Sequence, residues 1–158
     1  MKKRMAVLIV SLLVSLLAFG GIALAWPQYL EGRPAEFQPG QVRGFFLWRD
    51  GDGLNLRTAS NRNGHVYTGV IRTDGQFHDI RRIREEAGDH LRYNSNEIRF
   101  KFSTSPKDVD GVDFRVRGGS RIQFELYVDG HPMPAQEIHI GAGGQHPNDN
   151  TFSLHRNR

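Results

Sequence analysis

Cysteine is absent from all 158 residues. That excludes disulfides, a thiol nucleophile, thiolate-bound zinc and a cysteine-linked lipid, so the fold must be held by its core. Helical periodicity is missing as well. Beyond residue 25 no stretch keeps an apolar repeat of three and four for ten residues, which argues against a helical bundle. No serine sits in a G-x-S-x-G elbow and no two histidines have the H-E-x-x-H spacing, so two common hydrolase signatures are lacking.

Positive charge is scarce once the N-terminus is set aside. The chain has 21 basic and 17 acidic side chains; without Lys2, Lys3 and Arg4 there are 18 against 17, and the net charge falls from +4 to +1. Nucleic acid, which needs a concentrated basic surface, is not an expected partner. The cluster Arg81, Arg82 and Arg84 runs straight into Glu85 and Glu86.

What is present begins with export. Lys2, Lys3 and Arg4 precede the apolar run AVLIVSLLVSLLAFGGIALA, and Ala23-Leu24-Ala25 has the small-x-small form of a cleavage site. The expectation is a signal peptide over residues 1–25, with an uncleaved anchor as the alternative, since about 20 apolar residues span a bilayer. The protein is then secreted or held in the extracytoplasmic envelope, and would touch membrane only through an uncleaved N-terminal segment. The short basic start, the A-x-A site and the missing cysteine have a bacterial look. Residues 26–42 carry Pro27, Pro34 and Pro39 without a clean period, and read as a spacer.

A single domain is expected over residues 43–155. Its runs alternate apolar and polar residues with period two, bounded by Gly, Asn, Asp and Pro. Ile98, Phe100 and Phe102 share a face; so do Val112, Phe114 and Val116, and Ile122, Phe124, Leu126 and Val128. FFLW at 45–48 is apolar on both sides and predicts a central or covered strand. Gly69 predicts a bulge or a close neighbour, and the uneven spacing in FHDIRRIR predicts a bulged strand. Five Asp-Gly pairs suit two-residue hairpin loops. The sum is an all-β fold: an antiparallel β-sandwich, immunoglobulin-like or jelly-roll-like, of about 8–10 short strands. Short connections suggest that the last clear strands are neighbours, bringing Arg115 and Arg117 beside Glu125 and Gln123.

Function is less legible. Asp50 and Asp52 resemble the first ligands of a calcium loop, but Leu54 and Asn61 stand where further acids are needed, so the stretch reads as a turn. A better calcium candidate is Asp108, Asp110 and Asp113, with Gly111 permitting a bend. Tyr127 lies on a polar face with Glu125, and with Arg115 it would suit a sugar-stacking surface; Trp48 reads as core. Glu137, His139 and His146 offer a weaker hydrolase site, and the loop at 141–150 is long and polar. The expectation is an exported, non-enzymatic β-sandwich module that acts by interaction, its partner an envelope protein or a glycan. Alternatives are a carbohydrate-binding module, with or without calcium, and a small hydrolase. No cofactor is expected beyond that calcium.

Overall fold

The computed structural model describes residues 32–140 and, as backbone, residues 152–155; the expected signal segment, the loop at 141–150 and His146 lie outside them. Eleven strands follow in order: β1 (Gly44–Asp50), β2 (Gly53–Ala59), β3 (His65–Thr73), β4 (Gln76–Arg82), β5 (His90–Tyr93), β6 (Glu97–Thr104), β7 (Val109–Arg117), β8 (Arg121–Val128), β9 (His131–Pro132), β10 (Gln136–His139) and β11 (Phe152–His155). One sheet has the order β11-β1-β2-β7-β4 and the other β10-β8-β3-β6-β5, with β9 paired to β8. Every pairing is antiparallel. The antiparallel β-sandwich is thus as the alternation predicts.

The core lies between the sheets. Phe45, Leu47, Leu56 and Phe114 from the five-stranded sheet meet Tyr67, Phe100, Phe124 and Leu126 from the other. Phe45 and Tyr67 meet edge to face, with ring centroids 5.2 Å apart, a favoured aromatic geometry. Each such ring stabilises the fold by about 1.5–3 kcal/mol through burial. Gly69 lies on this inner face, where a Cβ would come 2.5 Å from the Phe100 ring. Its role is to let a neighbour close in.

Strand β1 is covered on its other side as well, which accounts for its unbroken apolar run. Phe46 and Trp48 face outward and are sealed by Phe37, whose ring centroid lies 4.7 Å from Phe46 and 5.5 Å from Trp48. Phe37, inside the proline-containing stretch, is fully buried. A hydrogen bond from Gly40 N–H to the Ser60 carbonyl fastens the same segment to the end of β2.

The chain changes sheets more often than its short connections suggest. It crosses after β2, β3, β4, β6, β7 and β10. Strands β6, β7 and β8 are therefore not neighbours: β6 and β8 flank β3, while β7 lies between β2 and β4. Two crossings pack against each other. Asp74, between β3 and β4, accepts hydrogen bonds from the N–H groups of Ser120, between β7 and β8, and of Arg121, the first residue of β8. A Cβ on Gly75 would meet the Gly118 carbonyl oxygen at 2.2 Å, so only glycine fits there.

Of the five Asp-Gly pairs, Asp129-Gly130 is a two-residue hairpin loop, closed by the pair Val128 and His131. Both its residues have positive φ, 51° and 75°, as a type I′ turn requires. Asp50-Gly51 is split: Asp50 pairs with Gly53, so the loop is Gly51-Asp52. Asp74-Gly75 makes a crossing, and Asp110-Gly111 lies inside β7. Strand β4 carries the expected bulge, a register shift between His78 and Arg81 with Asp79 at φ 50°.

Candidate functional site

The two outer faces of the sandwich differ. Near β1 and β2 the outside of the five-stranded sheet is closed by Phe37. Toward β4 and β7 it opens into a shallow groove of about 350 Å³, lined by Asp50, Asn55, Asp79, Arg81, Asp113 and Arg115 among others. Its arginines are already paired. Asp113 receives Arg57 and Arg81, each at 2.7 Å, and Arg115 meets Asp52 and Asp79, each at 3.1 Å. Arg57 is buried, and its guanidinium lies 5.3 Å from the Trp48 ring centroid, a cation–π distance.

This placement corrects the expected grouping of Arg115 with Tyr127 and Glu125. Arg115 belongs to the five-stranded sheet and the other two to the six-stranded sheet. Glu125 instead binds Arg72 at 2.6 Å, and Gln123 donates to Glu137 at 2.9 Å. The cause is the crossing after β7, which a three-residue connection conceals.

The three aspartates of the calcium candidate do not converge either. Asp108 is held by Arg84 at 2.5 Å and by the Ser105 hydroxyl. Asp110 points inward and is fully buried, whereas Asp113 faces outward between two arginines. Period-two alternation puts residues 110 and 113 on opposite faces of β7. Among the described residues no three acidic or histidine side chains gather in metal-binding geometry. Asp50 ends β1 and Asp52 lies in the two-residue turn to β2. On β10, His139 Nε2 lies 3.5 Å from Glu137, both exposed.

Asp110 ends a buried polar chain that sequence reasoning missed. Thr104 donates its hydroxyl to Asp110 at 2.6 Å, and the Thr58 and Thr104 hydroxyls are 2.6 Å apart. Ser60 donates to the Thr104 carbonyl at 2.6 Å, its hydroxyl lying 3.2 Å from that of Tyr67. Tyr67 donates in turn to the Ala59 carbonyl. The other carboxylate oxygen of Asp110 is buried with no hydrogen-bond partner among the described residues. Burial pushes the Asp110 carboxyl up to about 6, against the Thr104 hydrogen bond, while nearby Asp89 and Glu86 reinforce the rise. Burial likewise raises the Tyr67 phenol to about 12. A visible clue existed: the inward series Val116, Phe114, Val112, carried back one step, reaches residue 110.

The outside of the six-stranded sheet is different again. No described element covers it, and its residues form a grid fixed by strand register. Tyr127, Thr68, Lys101 and His90 make one row across β8, β3, β6 and β5. Glu125, Val70, Arg99 and Arg92 make the next. At its centre Tyr127, Thr68, Val70 and Arg99 border a shallow depression of about 220 Å³. Glu97 is held by Arg99 at 2.5 Å and Arg72 at 2.9 Å. The Arg99 bond and, against some burial, the Arg72 bond keep its carboxyl below the usual range.

No family model matches the chain, and no curated protein matches it. Among solved structures it is similar to the N-terminal domain of DsbD from Neisseria meningitidis in the reduced form. That likeness has 14% identity and a TM-score of 0.37, and covers 75% of this chain and 95% of the other. No residue role passes from it to this chain.

Proposed function

We propose that the chain is an exported β-sandwich module of the cell envelope that acts by binding rather than by catalysis, and that it binds through the outside of the six-stranded sheet. One observation carries this reading: that face presents Tyr127 beside a depression with Arg99 while no described element covers it. Opposite it, the groove of the five-stranded sheet has its arginines tied to aspartates. The Lys2, Lys3, Arg4 start and the apolar run after it support export.

A photo-crosslinking residue placed at Thr68, in cells making the whole chain, tests the reading. The expected result is a discrete adduct with an envelope component, with none when the same probe replaces Arg117 on the opposite sheet. A chain recovered in the cytoplasm, or equal labelling from both positions, contradicts it.

A sugar ligand is the second reading, and Tyr127 is the observation that favours it. A half-buried ring with Thr68 and Arg99 alongside offers one apolar surface for a sugar ring and polar groups at its margin.

A further inference from the structure

One exposed row of the six-stranded sheet places like charges against each other, and the next sets a histidine against a lysine. Arg92 stands directly opposite Arg99, and His90 directly opposite Lys101. All four are exposed. Like charges in cross-strand pairs destabilise a sheet, so this corner opposes the fold locally.

Internal neutralisation reaches only part of it. Glu97 binds Arg99 and Arg72, and Glu125 binds Arg72. Arg92, Lys101 and His90 make no hydrogen bond or ion pair among the described residues. On this face Arg72, Arg92, Arg99 and Lys101 stand against Glu97, at the start of β6, and Glu125, on β8. Glu137, on β10, lies beyond Gln123 at the far margin. At the corner over β5 and β6, Arg99 is held by Glu97 of its own strand, and Arg92 and Lys101 are the cations left without an acidic partner among the described residues.

Protection of a sheet edge by charge explains Arg92, since β5 is the edge strand. It does not explain Lys101 and Arg99 on β6, an interior strand whose edges are both paired.

We infer that this corner, together with Tyr127, is the binding surface for an acidic polysaccharide. The inference rests on the proposed binding face and names its partner class. Four strands at about 4.8 Å spacing put His90 roughly 14 Å from Tyr127 along one row, so the surface suits a chain of sugars rather than one. Tyr127 supplies a ring for a sugar face, and Arg99 borders the same depression. Arg92 and Lys101 are then placed to meet carboxylates or sulfates further along. A net charge near neutral once the N-terminal cations are removed makes attraction local to this corner rather than general. An anionic bilayer would gain nothing particular from a lone aromatic set in a row of polar side chains.

The test uses the protein expressed from its whole coding sequence, in the processed form the cell yields. Its binding to polygalacturonate is measured by calorimetry at low and at physiological salt. Uncharged dextran, anionic phospholipid vesicles and single-stranded DNA are the comparisons. Polygalacturonate is expected to bind, and to weaken with salt because exposed charges are screened. Arg92→Gln with Lys101→Gln should weaken binding roughly tenfold. Lys107→Gln with Arg117→Gln, which removes the same charge elsewhere, should change it less than twofold. Tyr127→Ala should weaken it too, which separates a sugar from a bare polyanion. Circular dichroism checks that each variant is folded.

Equal weakening by both double variants would overturn the inference, as would DNA or vesicles binding as tightly as polygalacturonate. Binding to dextran alone would overturn the acidic class and leave the binding face standing. No binding to any probe, with a specific crosslink still formed from Thr68, would likewise refute the partner class and spare the face.

Discussion

Replacing Asp110 with Asn should make the protein more stable at neutral pH. Asp110 is fully buried, and one of its carboxylate oxygens lacks a partner. Its folded-state pKa is raised from 3.8 to about 6. Below 3.8 the group is protonated in both folded and unfolded chains and costs nothing. Between about 4 and about 6 the folded protein holds a proton that the unfolded chain has lost, so stability falls as pH rises. Above about 6 the loss is complete. At about 1.4 kcal/mol for each pKa unit the ceiling is about 3 kcal/mol. Asn removes the charge and keeps the shape, and the Thr104 hydroxyl can accept from the amide as readily as it donates to the carboxylate. The unpaired end of the amide still has a desolvation cost, so the expected gain at pH 7.5 is about 1–3 kcal/mol, shrinking to nothing near pH 4. Urea unfolding of both proteins from pH 4 to pH 8 measures it as the difference between them. The difference is the right quantity because other carboxylates act with opposite sign. Asp74 is lowered to about 2 by the N–H groups of Arg121 and then Ser120, so its contribution is present above 3.8 and lost as pH falls through 2. A variant less stable than the parent at pH 7.5, or a difference that ignores pH, would refute the reasoning.

Gly75→Ala should cost about 3 kcal/mol or more, the upper end of overpacking, because its Cβ would press on a backbone carbonyl; chemical denaturation reads this directly. Arg57→Ala leaves a half-buried Asp113 with Arg81 alone and should cost about 3 kcal/mol, as breaking buried ion pairs does, measured the same way. Phe37→Ala should lose about 3 kcal/mol from cavity formation, and a matching fall in melting temperature would show that the proline-containing stretch belongs to the folded domain. Exchanging EDTA for millimolar calcium should leave the melting temperature unchanged, since Asp108, Asp110 and Asp113 are directed apart; a rise of several degrees would reveal calcium bound to the native state.

The fold was legible because burial follows the period of the strand. Leu54 and Leu56, Ile98 to Phe102, and Ile122 to Val128 all turn inward as their alternation requires. Two further irregularities were readable, the β4 bulge and the crowded Gly69. Strand order was not readable, because a connection as short as Gly118 to Ser120 serves a crossing between sheets as well as a hairpin. The difference lies in what Asp74 and Gly75 do on the far side of the crossing, about 45 residues away in sequence. That single ambiguity separated Arg115 from Tyr127. It also hid the exposed cations: Arg92 and Arg99 lie in different runs and become partners only through the β5–β6 register. Asp110 was lost for another reason. An aspartate before a glycine suggests a turn, yet here the strand begins at Val109 and carries both residues into the sheet.

Binding is proposed for the outside of the six-stranded sheet. A nitrogen-15 NMR titration of the processed protein with polygalacturonate tests it most directly. Shift changes are expected to gather at Thr68, Arg92, Arg99, Lys101 and Tyr127, with Arg81, Asp113 and Arg115 unmoved. Changes centred on β4 and β7, or none at a concentration where calorimetry shows saturation, would contradict it.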